Sequence, residues 1–167
     1  MSRLSGLRVV RSPVEGYGVI ATRRFRKGSV VVNVEGVLWR AGERRDDRYS
    51  LILDDGVFFD MVDQTRWVNH SCEPNIVVEA GVSRLGNGWA QMQALRELRP
   101  GDELFYDYAF PPELKERCRC GARACRGWIV DPAAVRAGKS GAVKPVVHRV
   151  IGVKRIDIFG AGLRHVR

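Results

Sequence analysis

Asn69-His70-Ser71-Cys72-Glu73-Pro74-Asn75 and, further along, Cys118-Arg119-Cys120-Gly121-Ala122-Arg123-Ala124-Cys125 hold every cysteine of this chain. The second stretch is a C-x-C-x4-C. With Cys72 it supplies four thiolates, the donor set of a closed tetrahedral structural zinc site. An even cysteine count also fits disulfides, which belong to secreted chains. The tight C-x-C spacing favours metal, and so does a start, Met1-Ser2-Arg3-Leu4-Ser5-Gly6-Leu7-Arg8, without the apolar core of a secretory signal.

Working outward, Gly16-Tyr17-Gly18 lies upstream, Gly101-Asp102-Glu103-Leu104-Phe105-Tyr106-Asp107-Tyr108 lies between the two cysteine segments, and Cys125-Arg126-Gly127-Trp128 closes the series. A G-x-G alone is a common turn. The whole ordered set, over about residues 7 to 130, resembles a SET-domain protein lysine methyltransferase: a G-x-G turn, an N-H-S-C-x-P-N loop, a G-[ED]-E-L-x-[YF]-D-Y strand and a post-SET cysteine cluster. The resemblance implies a β-rich α+β fold of several small twisted sheets, with a pseudoknot where a later segment passes the loop at residues 69–75. It also divides the chain into a SET domain at 1–110, a post-SET zinc-binding segment at 111–131 and a basic C-terminal extension at 132–167.

The length of 167 residues suits one domain with a single core. Short β-rich runs recur at Leu7 to Val10, Tyr17 to Thr22, Ser29 to Val34, Tyr49 to Leu53, Val57 to Asp60, Ile76 to Glu79, Trp89 to Ala94 and Glu103 to Tyr106. Turn formers separate them, among them Asp54-Asp55-Gly56, Leu85-Gly86-Asn87-Gly88 and Arg99-Pro100-Gly101, and long helical periodicity is absent. No apolar stretch is long enough to span a membrane, so a soluble intracellular protein is expected. It would be cytoplasmic or nucleoid-associated in a bacterium and nuclear in a eukaryote.

The net charge of +9 points to an acidic or polyanionic partner. From Pro132 onward eight Lys and Arg face Asp157 alone, so seven of the nine net charges sit in the last segment. That extension is either a nucleic-acid-binding arm, phosphate contacts supplying sequence-independent affinity, or a solvated basic surface. The small residues from Asp131 to Ala142 read as a linker. The apolar residues beyond, such as Val146, Val147, Ile151 and Phe159, suit packing on the body or on a second copy. The oligomeric state is left open.

The resemblance implies methyl transfer from S-adenosylmethionine to the ε-amine of a lysine in a protein substrate. Only the neutral amine attacks, and deprotonating a lysine of pKa near 10.4 at pH 7 costs roughly 4.6 kcal/mol. An apolar channel and a neighbouring sulfonium both reduce that cost. Tyr108 matches the tyrosine whose hydroxyl lies beside the transferring methyl. Tyr106, on the same strand face, matches the switch position where tyrosine accompanies lower methylation, so mainly monomethylation is expected, with some dimethylation. Tyr49 matches a tyrosine lining the lysine channel. For the donor the carried positions are Gly16, Tyr17 and Gly18, Asn69 and His70, Tyr108, and Trp128 as the post-SET aromatic that closes over it. The metal ligands are Cys72, Cys118, Cys120 and Cys125, holding one structural zinc that orders the post-SET loop.

Two departures bear on substrate choice. No pre-SET cysteine cluster is present, and the stretch from Arg40 to Arg48, where larger relatives carry a substrate-reading insert, is short. A histone tail, or another basic protein that accompanies nucleic acid, is the first-guess substrate. A zinc-stabilised binding module that docks through the basic extension is the alternative. The intact Tyr108, Asn69, His70 and Gly16-Tyr17-Gly18 set argues for an enzyme, since a pure binder has no need of it.

Overall fold

The computed structural model describes residues 6–43, 49–54 and 56–137. Most of the basic extension, from residue 138 onward, and residues 44–48 of the short insert lie outside the described residues.

Twelve strands form five small sheets. The first hairpin pairs β1 (Leu7–Arg11) with β2 (Tyr17–Ala21) antiparallel. Then come β3 (Val30–Val34), β4 (Gly36–Arg40), β5 (Ser50–Asp54) and β6 (Val57–Met61). The strand β7 is Asn69–His70, followed by β8 (Ile76–Val82), β9 (Gly88–Ala94) and β10 (Phe105–Tyr106). Two short strands, β11 (Glu116–Arg117) and β12 (Trp128–Ile129), and a helix α1 (Pro132–Ala137) complete the described chain. The three-stranded sheets run β3-β9-β8 and β4-β6-β5, while β7 pairs with β10 and β11 with β12.

Alternation along the strands builds the core. In β8, Ile76, Val78 and Ala80 turn inward with Ala90, Met92 and Ala94 of β9, and Val19, Leu98 and Leu104 join them with essentially no exposure. Each such aliphatic contributes about 1.5–3 kcal/mol relative to its exposed state. The sheet-rich fold expected from the short strand runs is found. The strand β4 is not separable from β3 by any turn former, because only Glu35 lies between them. The chain changes sheet there, β3 pairing with β9 and β4 with β6.

The crossing is held by Asn75, which is buried. Its Nδ2 donates to the Glu103 carbonyl at 2.7 Å, its Oδ1 accepts the Phe105 N–H at 2.9 Å, and its own N–H donates to the Phe105 carbonyl at 3.1 Å. With Ser71 N–H on the Tyr106 carbonyl at 3.1 Å and the parallel β7–β10 pairing, these bonds fix the later segment against the 69–75 loop.

The segment read as a linker begins with the short helix α1. Asp131 Oδ1 accepts the Ala133 N–H at 2.7 Å and Pro132 opens the helix, a favourable N-terminal pair. Val130, Asp131 and Ala134 are buried, so the start of this segment packs on the body. Among the described residues no helix is long and apolar enough to cross a membrane.

Candidate active site and cysteine cluster

The turn between β1 and β2 is shaped by two glycines with different tasks. Gly16 has φ +49°, a left-handed conformation that a side chain rarely adopts. Gly18 lacks a side chain for a steric reason, since a Cβ there would overlap the Glu103 carboxylate. Asn69 directs its Nδ2 at the carbonyls of Glu15 (3.1 Å) and Tyr17 (2.9 Å) and at Glu103 Oε1 (3.3 Å). Asn69 therefore holds both ends of the Gly16 turn to β7.

The chain enters β7 through a single 3-10 turn, Gln64–Trp67. Asp63 caps it by accepting the Thr65 N–H at 2.8 Å, and its other carboxylate oxygen accepts the Glu35 N–H at 2.8 Å. This turn sets the Trp67 ring between two tyrosines, 5.5 Å from the ring of Tyr17 and 5.4 Å from that of Tyr49. The guanidinium of Arg11 lies 4.4 Å over Tyr17 and that of Arg66 4.2 Å over Tyr49, closing both ends of the row with cation–π contacts.

Tyr49, Asn69, His70 and Tyr108 line one cleft of about 670 Å³, together with the apolar side chains of Ile52, Phe58, Phe110 and Ile129 and the carboxylates of Glu15 and Glu116. Tyr108 donates its hydroxyl to the Val68 carbonyl at 2.9 Å. Burial raises its pKa far above the usual phenol range, and the charges of Tyr49, Glu15 and Glu116 add to the effect. Its hydroxyl is thus a neutral, fixed group. The Tyr106 ring lies 4.7 Å from that of Tyr108 and is almost wholly buried, which likewise raises its pKa. Directly after Tyr108, Ala109 has φ +46°, held there by its N–H bond to Asp107 Oδ1 at 3.1 Å. A strained non-glycine residue beside a cleft is a common mark of a functional site.

Trp128 is not among the cleft-lining side chains. Its ring carries Arg117 at 4.0 Å and Lys115 at 5.0 Å, while the neighbouring Ile129 reaches the cleft. Tyr17, Gly16, Gly18 and Tyr106 stand behind the lining. Trp67, Asp107 and Arg126 escaped the sequence analysis, though Asp107 lies inside one quoted motif and Trp67 two residues before another. Arg126 donates to Asp107 Oδ1 at 2.8 Å and to the Val130 carbonyl at 3.2 Å, tying the post-SET segment to the strand that ends at Tyr108.

All four cysteines are free thiols. The sulfurs of Cys72 and Cys118 are 3.7 Å apart, far beyond a disulfide bond and near the roughly 3.8 Å edge of a tetrahedron with Zn–S bonds of about 2.3 Å. Cys125 bonds through its thiol to Cys118 and Cys120. Each sulfur also receives a backbone N–H: Cys118 from Cys120, Cys120 from Cys72, Cys72 from Arg126 and Cys125 from Gly127, at 3.4–3.5 Å. Desolvation opposes ionisation of Cys120, yet amide bonds from Cys72 and Ala122 pull its pKa down to about 6. Four converging sulfurs wrapped in amide donors fit a thiolate-bound zinc ion. His70 Nε2 also lies within 4.8 Å of the Cys72, Cys118 and Cys120 sulfurs. Burial lowers the His70 pKa to about 4, against the pull of Asp107, so the ring is neutral.

Residues 16–109 match the model of the SET domain family. A histone-lysine N-methyltransferase, H3 lysine-4 specific, of Cryptococcus neoformans is 35% identical over 76% of this chain. Human histone-lysine N-methyltransferase 2B is 34% identical over 72% of it. The chain spans only 10% and 5% of the lengths of these two proteins. Among solved structures, KRYPTONITE in complex with mCHH DNA, an H3(1-15) peptide and SAH superposes with a TM-score of 0.64 at 28% identity, covering 77% of this chain and 30% of that one. The family match takes in more than half of the 167 residues and includes the G-x-G turn, the N-H-S-C loop and the strand into Tyr108, and the chain therefore belongs to the SET domain family.

Proposed function

We propose that this protein is a protein-lysine N-methyltransferase that uses S-adenosylmethionine to methylate, mainly once, a lysine in a histone or another basic protein that accompanies nucleic acid. The observation that carries the reading is the gathering of Tyr49, Asn69, His70 and Tyr108 on one aromatic and apolar cleft. Two relatives named as histone-lysine methyltransferases, and a structural neighbour holding an H3 peptide and SAH, support the substrate class and donor.

S-adenosylmethionine, when bound, supplies an electrophilic methyl group on a positively charged sulfur. The chain's own residues do the rest by position. Asn69 clamps the Gly16-Tyr17-Gly18 turn, keeping backbone free for a close ligand. The walls at Ile52, Phe58 and Phe110 desolvate an entering ammonium and favour its neutral form. Tyr108 takes no proton, because its hydroxyl is engaged with Val68 and its phenol is far from ionising. The lysine proton leaves to water, and alignment of amine and methyl supplies the acceleration. Tyr106, packed against Tyr108, offers a hydroxyl that can hold a water where a second methyl would turn. Cys72, Cys118, Cys120 and Cys125 hold one zinc ion with no open coordination position, so its role is to order the post-SET segment.

The basic extension supports a second element of the same reading, in which it carries the enzyme to a nucleic-acid-bound substrate. Truncation after residue 131 would then leave peptide methylation intact and reduce turnover on the assembled substrate. The central test is calorimetric binding of S-adenosylmethionine to zinc-loaded protein. Micromolar binding, lost in Tyr17→Ala and Asn69→Ala, supports the enzyme; no binding by folded, metal-replete protein removes it and leaves a binding module that docks through its basic extension.

A further inference from the structure

Two metal sites compete for the same atoms. Four thiolates satisfy a zinc ion, but His70 Nε2 is also within reach of three of the sulfurs and 3.5 Å from that of Cys72. A histidine–tricysteine site would leave Cys125 outside. The other ring nitrogen decides between them. His70 Nδ1 accepts the backbone N–H of Tyr108 at 3.2 Å, so the ring's free lone pair is at Nδ1. A neutral imidazole carries one N–H and one lone pair. Its proton is then on Nε2, and a nitrogen bearing a proton cannot bind a metal.

The opposite tautomer meets two obstacles. It would turn an Nδ1–H toward the Tyr108 N–H, two donors face to face. Its nearest carboxylate, Asp107 Oδ1 at 3.5 Å, already accepts from Arg126 and from Ala109. The Tyr106 carbonyl beside the ring already accepts the Ser71 N–H. A metal-bound histidine usually donates its second N–H to a carboxylate or carbonyl, and here the second nitrogen does the reverse.

We infer that His70 is a positioning residue outside the metal's ligand set, its Nε2–H donating to the Cys72 sulfur and its Nδ1 receiving the Tyr108 amide. This rests on the reading of the four cysteines as a zinc site. One imidazole thus spans from a metal ligand to the backbone of the candidate catalytic tyrosine. The ring also stacks edge-on to Tyr108 with centroids 5.4 Å apart, so a rotation of the imidazole displaces both the amide and the phenol it faces. Ordering of the cysteine cluster is transmitted to Tyr108 through this ring.

The test is the tautomer of His70 in the zinc-loaded full chain labelled with nitrogen-15 in histidine, read from long-range proton–nitrogen correlations. The expected result is a protonated Nε2 and an unprotonated Nδ1. A protonated Nδ1 with Nε2 bound to metal overturns the inference while leaving the zinc site standing. A chain that takes up no metal overturns the cysteine reading and this inference with it. Cobalt substitution gives a second, independent readout, an absorption spectrum of four-sulfur type in both the native chain and His70→Asn. The Asn variant keeps an acceptor for the Tyr108 amide but loses the donor to Cys72, and zinc affinity is expected to fall about 10- to 100-fold. His70→Gln, whose amide can reach Cys72, is expected to recover part of that loss. A change to a three-sulfur, one-nitrogen spectrum in the native chain counts against it.

Discussion

Ala109 is held with φ +46° where most side chains avoid the left-handed region, and its only evident holder is the Asp107 carboxylate. Ala109→Gly removes the Cβ conflict and is expected to raise stability by about 0.5–1 kcal/mol, because strain relief outweighs the greater freedom of an unfolded glycine. A denaturant midpoint that falls would show that the conformation is unstrained. Asn75 makes the opposite case. Every polar group it has is used within the crossing, and Asn75→Ala leaves the Glu103 carbonyl and Phe105 N–H without their partner. The expected loss is about 2–4 kcal/mol. Asn75→Asp separates the two bonds, since a carboxylate can still accept from Phe105 but cannot donate to Glu103. If the alanine variant unfolds at the native midpoint, the crossing is not held by this side chain.

At the scale of elements, the 3-10 turn before β7 joins the donor turn to the wall of the lysine channel through Trp67. Each ring pair of this kind contributes about 0.5–1.5 kcal/mol. Trp67→Ala breaks both the contact to Tyr17 and that to Tyr49, and is expected to weaken S-adenosylmethionine binding about tenfold and to raise the KM for a peptide as well. Trp67→Phe should keep most of both. A variant that changes one constant alone would show that the row is two separate contacts. This linkage also marks where sequence reasoning stops. Asn69, Cys72 and Tyr108 could be found because each sits in a short run with an ordered spacing. Trp67, Asp107 and Arg126 work through partners 18 to 50 residues away, as with Arg126 on Asp107 or Trp67 on Tyr17, and no local pattern records such a pair. Likewise the runs of β1, β2 and β9 were visible in alternation and turn residues, whereas β4 was hidden by the missing turn after β3. The helix α1 was masked by its Ala-rich composition despite the Asp131-Pro132 start signal.

Across the whole molecule, the described residues divide into sheets that share a core and a post-SET segment with little core of its own. The β11–β12 pair is two residues long, and Cys118, Arg119, Cys120 and Cys125 contribute no buried side chain to the main cluster. What fastens the segment is local: the Cys118 N–H to the Gly127 carbonyl at 3.1 Å, Arg126 to Asp107, the Asp131 N–H to the Phe110 carbonyl at 2.9 Å, and the sulfurs themselves. By contrast β8 and β9 pair over seven residues with buried aliphatics on one face. Metal removal should therefore act unevenly, since a site built from thiolates couples metal binding to ordering of the segment that supplies them. With a chelator present, amide exchange is expected to accelerate across residues 116–130 and around Cys72, while the amides of β8 and β9 keep their protection. Tyr108 should show an intermediate response, because it is tied both to the core through Val68 and to the cysteine side through His70. Uniform loss of protection would mean that the metal supports the whole fold, and no change anywhere would mean that amide and arginine bonds suffice to hold the segment. Selective loss would make the post-SET segment a metal-dependent wall of the cleft, supplied by Glu116, Arg117 and Ile129, whose removal lowers ligand affinity without touching the hydroxyl of Tyr108.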